Sequence, residues 1–422
     1  MEKSTIALII MAITILLFVT EMIPLAVTAM GASLAMAITG CIKYGDAVSG
    51  FSAPVTHMIA GMLVVGDAVF ETGLAKRIGD WLQSSMFAKN EKALLTAVVF
   101  ICLLMSAFLS NSATIATFIP IVAVIAAASH GKIQGKHIVI VAGMAAAFGG
   151  GATLVGSTAQ LVGQAIMTKS GVKPMEIFTL SKLMLPLCVV FMGYVWLAYP
   201  WIKKVLSDME ETIPASQQEE VKEVVEWKVW LSGIVIVLCI TGFVLEVWNV
   251  AIIALTAATI LIATNCIGYK KAMRNLDWNT LMIIGASQGF ALGLDKSGAG
   301  KIIATTLIKW CGGPEASALV LLAVIVIVAN VLTNFMSNTA LVAMLLPIVI
   351  PMANQLGVSA ETFCIGVIIA SNTSISTPIA TPAVTQTLVC GYRYNDFVKI
   401  GGPINIIIAI LTVIGLPIVY GL

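Results

Sequence analysis

"FLSNSATIATFIPIV", residues 108–122, sets Ser110, Asn111 and Ser112 in the middle of an apolar stretch that runs from 93 to 129. A hydrocarbon core offers no water, so polar groups at that depth need protein partners or a wet cavity around them. The chain repeats the pattern as "FMSNTALVAMLLPIV" at 335–349, and the pair decides how everything between them is read.

Slid against itself by about 225 residues, the chain matches in order well beyond the two motifs, which is the mark of an internal duplication. Glu21 falls on Glu246, Ala26 on Ala251, Cys41 and Ile42 on Cys266 and Ile267, Tyr44 on Tyr269, Ala47 on Ala272, and "ETGLAKRI" on "KSGAGKII". The copies are 1–202 and 229–422, joined by the most charged stretch, 203–228, which reads as a solvated linker.

With 422 residues, 59% hydrophobic and 10% charged, the chain reads as an all-α polytopic membrane protein. About 20 helical residues cross a bilayer core, and the short alternating segments of a barrel are absent. A net charge of +2 without a basic cluster gives no sign of a nucleic-acid partner. The eight cysteines are scattered through apolar runs and read as packing residues. The first apolar segment lacks a small-residue cleavage site and reads as a retained helix.

Spans are expected at 5–20, 24–42, 53–72, 138–168 (interrupted) and 183–202, and again at 229–245, 249–267, 279–295, 361–390 (interrupted) and 401–420. Between them lie the motif-bearing stretches 93–129 and 316–351. The arm "ALVAMLLPIVIP" of the second stretch has 12 residues, too few to cross, so each stretch is expected to be a re-entrant hairpin with a buried polar tip. An odd number of crossings per copy makes the repeats inverted in topology. Loops 73–92, 130–137, 203–228, 268–277 and 391–399 hold 15 of the 23 Lys and Arg and are expected in the cytoplasm, with both termini outside.

The interrupted spans carry the matching signal. "MAAAFGGGATLVGSTAQLVG" has Gly149 to Gly151 and a second break at Gly156–Thr158, and "SNTSISTPIATPAVTQ" has Pro378 and Pro382. Breaks at matching places in two inverted copies point to a transporter's central site. Each leaves free N–H groups at one half-helix and free carbonyls at the other; the first favour an anion, the second a cation. Asn111, Asn338, Ser157 and Thr381 add neutral hydrogen-bonding groups, and no Lys or Arg lies deep in a span. Hard cations such as sodium accept oxygen ligands of this kind.

Blander readings stand beside these. An isolated Ser or Thr bonds back to its own helix, but two motifs at equivalent repeat positions, each opposite a break, argue against that here. Gly143 and Gly163 read as close-packing residues, whereas 149–151 reads as a break. Asp67, whose counterpart is Leu292, is the residue a proton-coupled carrier would use. Glu21 and Glu246 read as caps or interfacial anchors, and His57, His130 and His137 as surface residues. No HExxH, pair of intramembrane carboxylates or Ser/His arrangement supports an enzyme.

The tips "SNSA" and "SNTA", the breaks "GGGATLVGSTAQ" and "TPIATPAVTQ" and the closing "YNDFVKIGGPINIIIAIL" together resemble the divalent anion/sodium symporter family of dicarboxylate, citrate and sulfate carriers, within the ion transporter superfamily. The resemblance implies a homodimer in the plasma (inner) membrane, each protomer pairing a fixed scaffold (about 5–72 and 229–295) with a transport domain that moves as an elevator. It implies one sodium between Ser110, Asn111, Ser112 and the Gly156–Ser157 break, and a second between Ser337, Asn338, Thr339 and Ala380–Thr381–Pro382. It implies a substrate held by Asn111, Ser112, Ser157, Asn338, Thr339 and Pro382.

The sequence departs from the family at Ser112, where Thr is usual, at Thr158 and Ala383 in place of prolines, and at Gln160 and Val384 in place of amides. Beside the family pattern it is expected to be without the extra N-terminal helix of many members, with a 5 + 5 core. The function expected is secondary transport of a small organic anion, a di- or tricarboxylate, by sodium symport or exchange. The alternative is a sulfate or a cation/proton carrier of the same superfamily.

Overall fold

A computed structural model describes residues 2–20, 22–129, 131–209, 225–245, 247–310, 317–378 and 381–422. Glu21, Glu246, His130, Ala380 and most of the charged linker lie outside the described residues. Among the described residues every regular element is helical.

The first half runs through α1 (Lys3–Thr20), α2 (Leu25–Ile38), α3 (Tyr44–Val48), α4 (Pro54–Glu71), α5 (Leu74–Ser84), α6 (Glu91–Ser106), α7 (Asn111–Ala128), α8 (Gly135–Gly150), α9 (Thr158–Lys169), α10 (Ser181–Leu197) and α11 (Tyr199–Val205). The second follows a like order: α12 (Glu226–Val244), α13 (Val250–Ala263), α14 (Tyr269–Asn275), α15 (Trp278–Lys296), α16 (Ala299–Trp310), α17 (Ala318–Leu332), α18 (Asn338–Leu356), α19 (Ala360–Asn372), α20 (Pro382–Gln386) and α21 (Tyr394–Tyr420). Among the described residues six helices are long and apolar enough to cross a bilayer, or seven if α10 and α11, bent by 61°, form one span. Five more apolar helices have 10–17 residues.

Local chemistry sets the starts. Asn90 accepts from the amides of Lys92 and Ala93 to open α6, and Ser110 accepts from Ala113 to open α7. Asn249, Asp277 and Ser359 cap α13, α15 and α19 in the same way. Pro54 stands at the first turn of α4, where its missing N–H costs nothing.

The packing exchanges partners between the halves. α2 lies on α15, while its counterpart α13 lies on α4. Gly61 and Gly289 permit these approaches: a methyl on Gly61 would sit 2.6 Å from the Ala254 backbone, and one on Gly289 would sit 2.1 Å from Ser33 Oγ. Both α6 and α7 lean on α8, and both α17 and α18 lean on α19. All 16 residues of α8 are buried, so it forms the axis of this second body. The outer surface is apolar, with Ile13, Val237 and Ile406 exposed, as suits a multi-pass membrane protein.

Three sequence expectations need correcting. The second arm of the later hairpin is 19 residues, because α18 continues through Pro347 and Pro351. The 12-residue estimate stopped it at a proline, but neighbouring helices compensate for a lost backbone bond in such bundles, and α16 packs on α18 with Gly300 facing Pro351. Arm length therefore does not argue for re-entry. Second, the first interrupted span has one break, Gly151 to Ser157, not two; Gly149 and Gly150 stay helical. A methyl on Gly149 would sit 2.3 Å from Leu103 O, so these glycines serve close packing. Third, His137 is 2% exposed. It sits in the first turn of α8 with Nδ1 2.7 Å from Glu91 Oε1, and the Tyr199 hydroxyl and Gln134 N–H also donate to that carboxylate.

Candidate functional site

Ser110, Asn111, Ser112, Gly156, Ser157, Ser337, Asn338, Thr339, Thr381 and Pro382 all line one cavity of about 390 Å³. These are ten of the eleven residues singled out from sequence; the eleventh, Ala380, lies outside the described residues. Chain segments more than 200 residues apart thus meet in one chamber, whose tips and breaks supply hydroxyls, amides and helix ends.

Each tip is braced alike. Ser106 Oγ hydrogen-bonds the Asn111 amide and lies 2.6 Å from Ala146 O on α8. Thr333 Oγ1 donates to Asn338 Oδ1 at 2.6 Å and lies 3.4 Å from Ser371 O on α19. Ser106 and Thr333 each stand five residues before the tip asparagine. That shared register was legible in the repeat, yet sequence reasoning passed over both, because a hydroxyl inside a helix usually bonds its own backbone.

Each break loop is also tied to its tip. Thr153 Oγ1 donates to Ala107 O, and Thr377 Oγ1 to Asn334 O at 2.6 Å. The halves touch where Thr158 Oγ1 and Thr339 Oγ1 lie 2.8 Å apart, while within the second copy Asn338 Nδ2 donates to Thr381 Oγ1 at 3.4 Å. Gly156 lies among backbone oxygens: a methyl there would be 2.4 Å from Gly150 O, 2.8 Å from Ser106 O and 2.9 Å from Ala107 O. Those carbonyls end α6 and α8, where the helix dipole is negative and a cation is favoured.

The positive ends face the same chamber. Asn111, Thr158 and Asn338 are the first residues of α7, α9 and α18, and all three line the cavity. Among the described residues no Lys or Arg does, whereas Asp67 and Asp277 do, with Asn275 and Thr280. This wall comes from the C-terminal end of α4, the last residue of α14 and the start of α15. Asp67, the residue a proton-coupled carrier would use, stands in the last turns of α4 and lines the tips' chamber. Among the described residues no group of His, Cys, Asp and Glu could hold a metal ion.

A family model described as "Citrate transporter" matches residues 15–348 and again 244–421. An uncharacterized transporter of Haemophilus influenzae is 25% identical over 97% of this chain and 90% of its own length. The sodium-dependent dicarboxylate transporter SdcS of Staphylococcus saprophyticus is 22% identical over 86% and 76%. The citrate/succinate antiporter of Escherichia coli K12 is 24% identical over 89% and 80%. Among solved structures, the efflux pump MtrF of Neisseria gonorrhoeae aligns with a TM-score of 0.63 at 14% identity, over 99% of this chain and 95% of that one, a likeness of fold.

Proposed function

The chain belongs to the citrate transporter family, and from that premise we propose that it carries small di- or tricarboxylates across the plasma membrane by sodium-coupled symport or by exchange. The observation that carries this is the convergence of two polar tips and two helix breaks on a chamber that, among the described residues, holds no basic side chain.

Charge balance makes the argument. A helix N-terminus is worth about half an elementary charge, so α7, α9 and α18 together offer about +1.5 to a dianion that brings −2, and the Asp67 and Asp277 carboxylates on the wall widen the deficit. Cations bound beside the substrate would close the gap. The first would be held by Ser110, Asn111 and the carbonyls around Gly156, with Ser106 bracing the amide. The second would be held by Ser337, Asn338, Ala380 and Thr381, with Thr333 as brace. Substrate carboxylates would then take donors from Asn111, Ser112, Ser157, Asn338 and Thr339, against Pro382. The names of SdcS and the citrate/succinate antiporter support carboxylates as the class and leave both coupling modes open.

The carrier is proposed to be a homodimer of inverted repeats, within the divalent anion/sodium symporter group. The exchanged packing of α2 on α15 and α13 on α4 supports the inversion. These four helices would be the static scaffold, and the bodies around α8 and α19 would move as an elevator. With Asp67, Asn275 and Asp277 at its wall, beside the Lys- and Arg-rich loops 73–92 and 268–277, the chamber would open to the cytoplasm.

Thermal stabilisation of the purified chain by succinate, citrate or sulfate, with and without sodium, tests the reading, since a ligand that binds only the native state raises its stability. Stabilisation by a carboxylate that sodium strengthens is expected; stabilisation by sulfate alone would overturn it. The position of Asp67 on the cavity wall favours proton coupling as a second reading. Uptake that needs a pH gradient, ignores sodium and fails in Asp67→Asn would establish it.

A further inference from the structure

Gln160, near the start of α9, is wholly buried, and Asn372, the last residue of α19, is 1% exposed. Gln160 Nε2 donates to Gly150 O at 2.7 Å and also to Thr153 O. Its Oε1 accepts from Asn372 Nδ2 at 2.8 Å, and Asn372 Nδ2 also donates to Ile368 O at 2.9 Å. The orientation is fixed by this network, because a turned Gln160 amide would set oxygen against two carbonyls.

Each end of the bridge reaches one tip. Gly150 abuts Asn111, for a methyl on it would sit 2.3 Å from Asn111 Oδ1, and its carbonyl is among those around Gly156. At the other end, Ser371 O precedes Asn372 and lies 3.4 Å from Thr333 Oγ1, the hydroxyl that holds Asn338. The equivalent positions in the opposite copies are Val384 and, in the register that pairs Ala146 with Ser371, Ala147, which cannot form the bond. The bridge therefore breaks the repeat symmetry, in a buried setting where a lost partner costs more than a surface contact would.

The geometry points to the Gln160–Asn372 amide pair as a positioning element that couples the two cation half-sites, so that filling one preorganises the other. This rests on the sodium reading above. Occupation of the first site fixes Gly150 and Asn111; the bridge passes that order to the end of α19 and so to Asn338. An affinity factor of about 5 to 150 is usual for such coupling.

The test is a sodium titration of the thermal stability of the full chain, at constant ionic strength with choline. Wild type is expected to respond with a Hill coefficient above one, bounded at about two by the number of sites. Asn372→Leu, which spares the Gln160 donors, is expected to respond with a coefficient of one and a weaker midpoint. Asn372→Asp gives a readout that a merely structural role would not move. Its protonated carboxyl donates to Gln160 Oε1 and restores cooperativity at low pH, whereas the carboxylate repels Oε1 and abolishes it at high pH. A wild type indifferent to sodium overturns the sodium reading and the inference with it. A cooperative wild type whose cooperativity survives in Asn372→Leu overturns the bridge alone. Should that variant not fold, a pH-independent Hill coefficient in Asn372→Asp does the same.

Discussion

The two tips differ by a single residue, Ser112 against Thr339, within their three-residue motifs, yet they are not equally accessible. Ser110 is exposed and Asn111 and Ser112 are half-buried, while Asn338 and Thr339 are 8% and 7% exposed. The second tip is closed over by Thr158 and Thr381. Near-identical motifs thus differ in access within one and the same chamber. Similar sequence sets the local turn, and packing by Thr158 of the opposite copy and Thr381 of its own sets who can reach the second tip.

Removing both amides in turn is the strongest way to break the comparison. Asn111→Ala and Asn338→Ala are each expected to reduce uptake to background while the protein still inserts. The buried Asn338 should also cost stability, since its loss removes the 2.6 Å bond from Thr333 Oγ1 and leaves that hydroxyl only the longer contact to Ser371 O. Uptake assays on reconstituted protein, beside the thermal stability of each variant, check both parts; normal transport in either variant would remove that tip from the site.

A second test falls on the breaks. Gly156 occupies the position where the second copy has Ala380. Gly156→Ala makes the copies alike but drives a methyl to 2.4 Å from Gly150 O. Overpacking of this kind costs about 1–3 kcal/mol, and sodium stabilisation should weaken with it. Gly402→Ala, where a methyl meets nothing within 4 Å, is the neutral companion. Equal thermal stability in the two variants would show that the first break has room to spare.

How much could be read in advance follows the same division between local and distant causes. The tips, the breaks and the family resemblance were legible because each is a short motif whose chemistry conflicts with a lipid environment, and because each occurs twice. The length of α18 was not, since Pro347 and Pro351 end a helix by local rules and are overruled by its neighbours. Nor was the burial of His137, which depends on Glu91 and Tyr199 arriving from α6 and α11. The roles of Gly149 and Gly150 lay in the approach of Leu103 and Asn111, which no glycine count shows. Asp67 was visible as an oddity, but its place opposite the tips needed α15.

The Glu91 cluster gives a smaller, pH-dependent asymmetry. Glu91 opens α6, and its counterpart at the head of α17 is Ala318. Burial pushes its carboxyl up, but bonds from His137, the Gln134 N–H and Tyr199 overcome this and hold it at about 2, below the ordinary 4.5. A carboxylate with a depressed folded pKa contributes stability above its unfolded pKa and loses it as pH falls through the folded one. Wild type should therefore lose stability between about pH 4.5 and 2. Glu91→Gln should lose that slope and be less stable at neutral pH. Parallel thermal profiles of the two proteins across that window would discount the clamp.

The smallest expected effect lies in the motif itself. Thr339 uses its hydroxyl on Thr158, 2.8 Å away, so its methyl is the part left to shape the chamber. Ser112 lacks that methyl and is more accessible, which leaves the first tip the looser half of the grip. Ser112→Thr adds one methyl, worth about 0.8 kcal/mol when buried, or roughly a fourfold change in affinity. Tighter carboxylate binding with the sodium midpoint unchanged would place the asymmetry in substrate contact. A shifted sodium midpoint with carboxylate affinity unchanged would place it in the cation site, where Ser112 adjoins Asn111, and would make the missing methyl a device for releasing the ion.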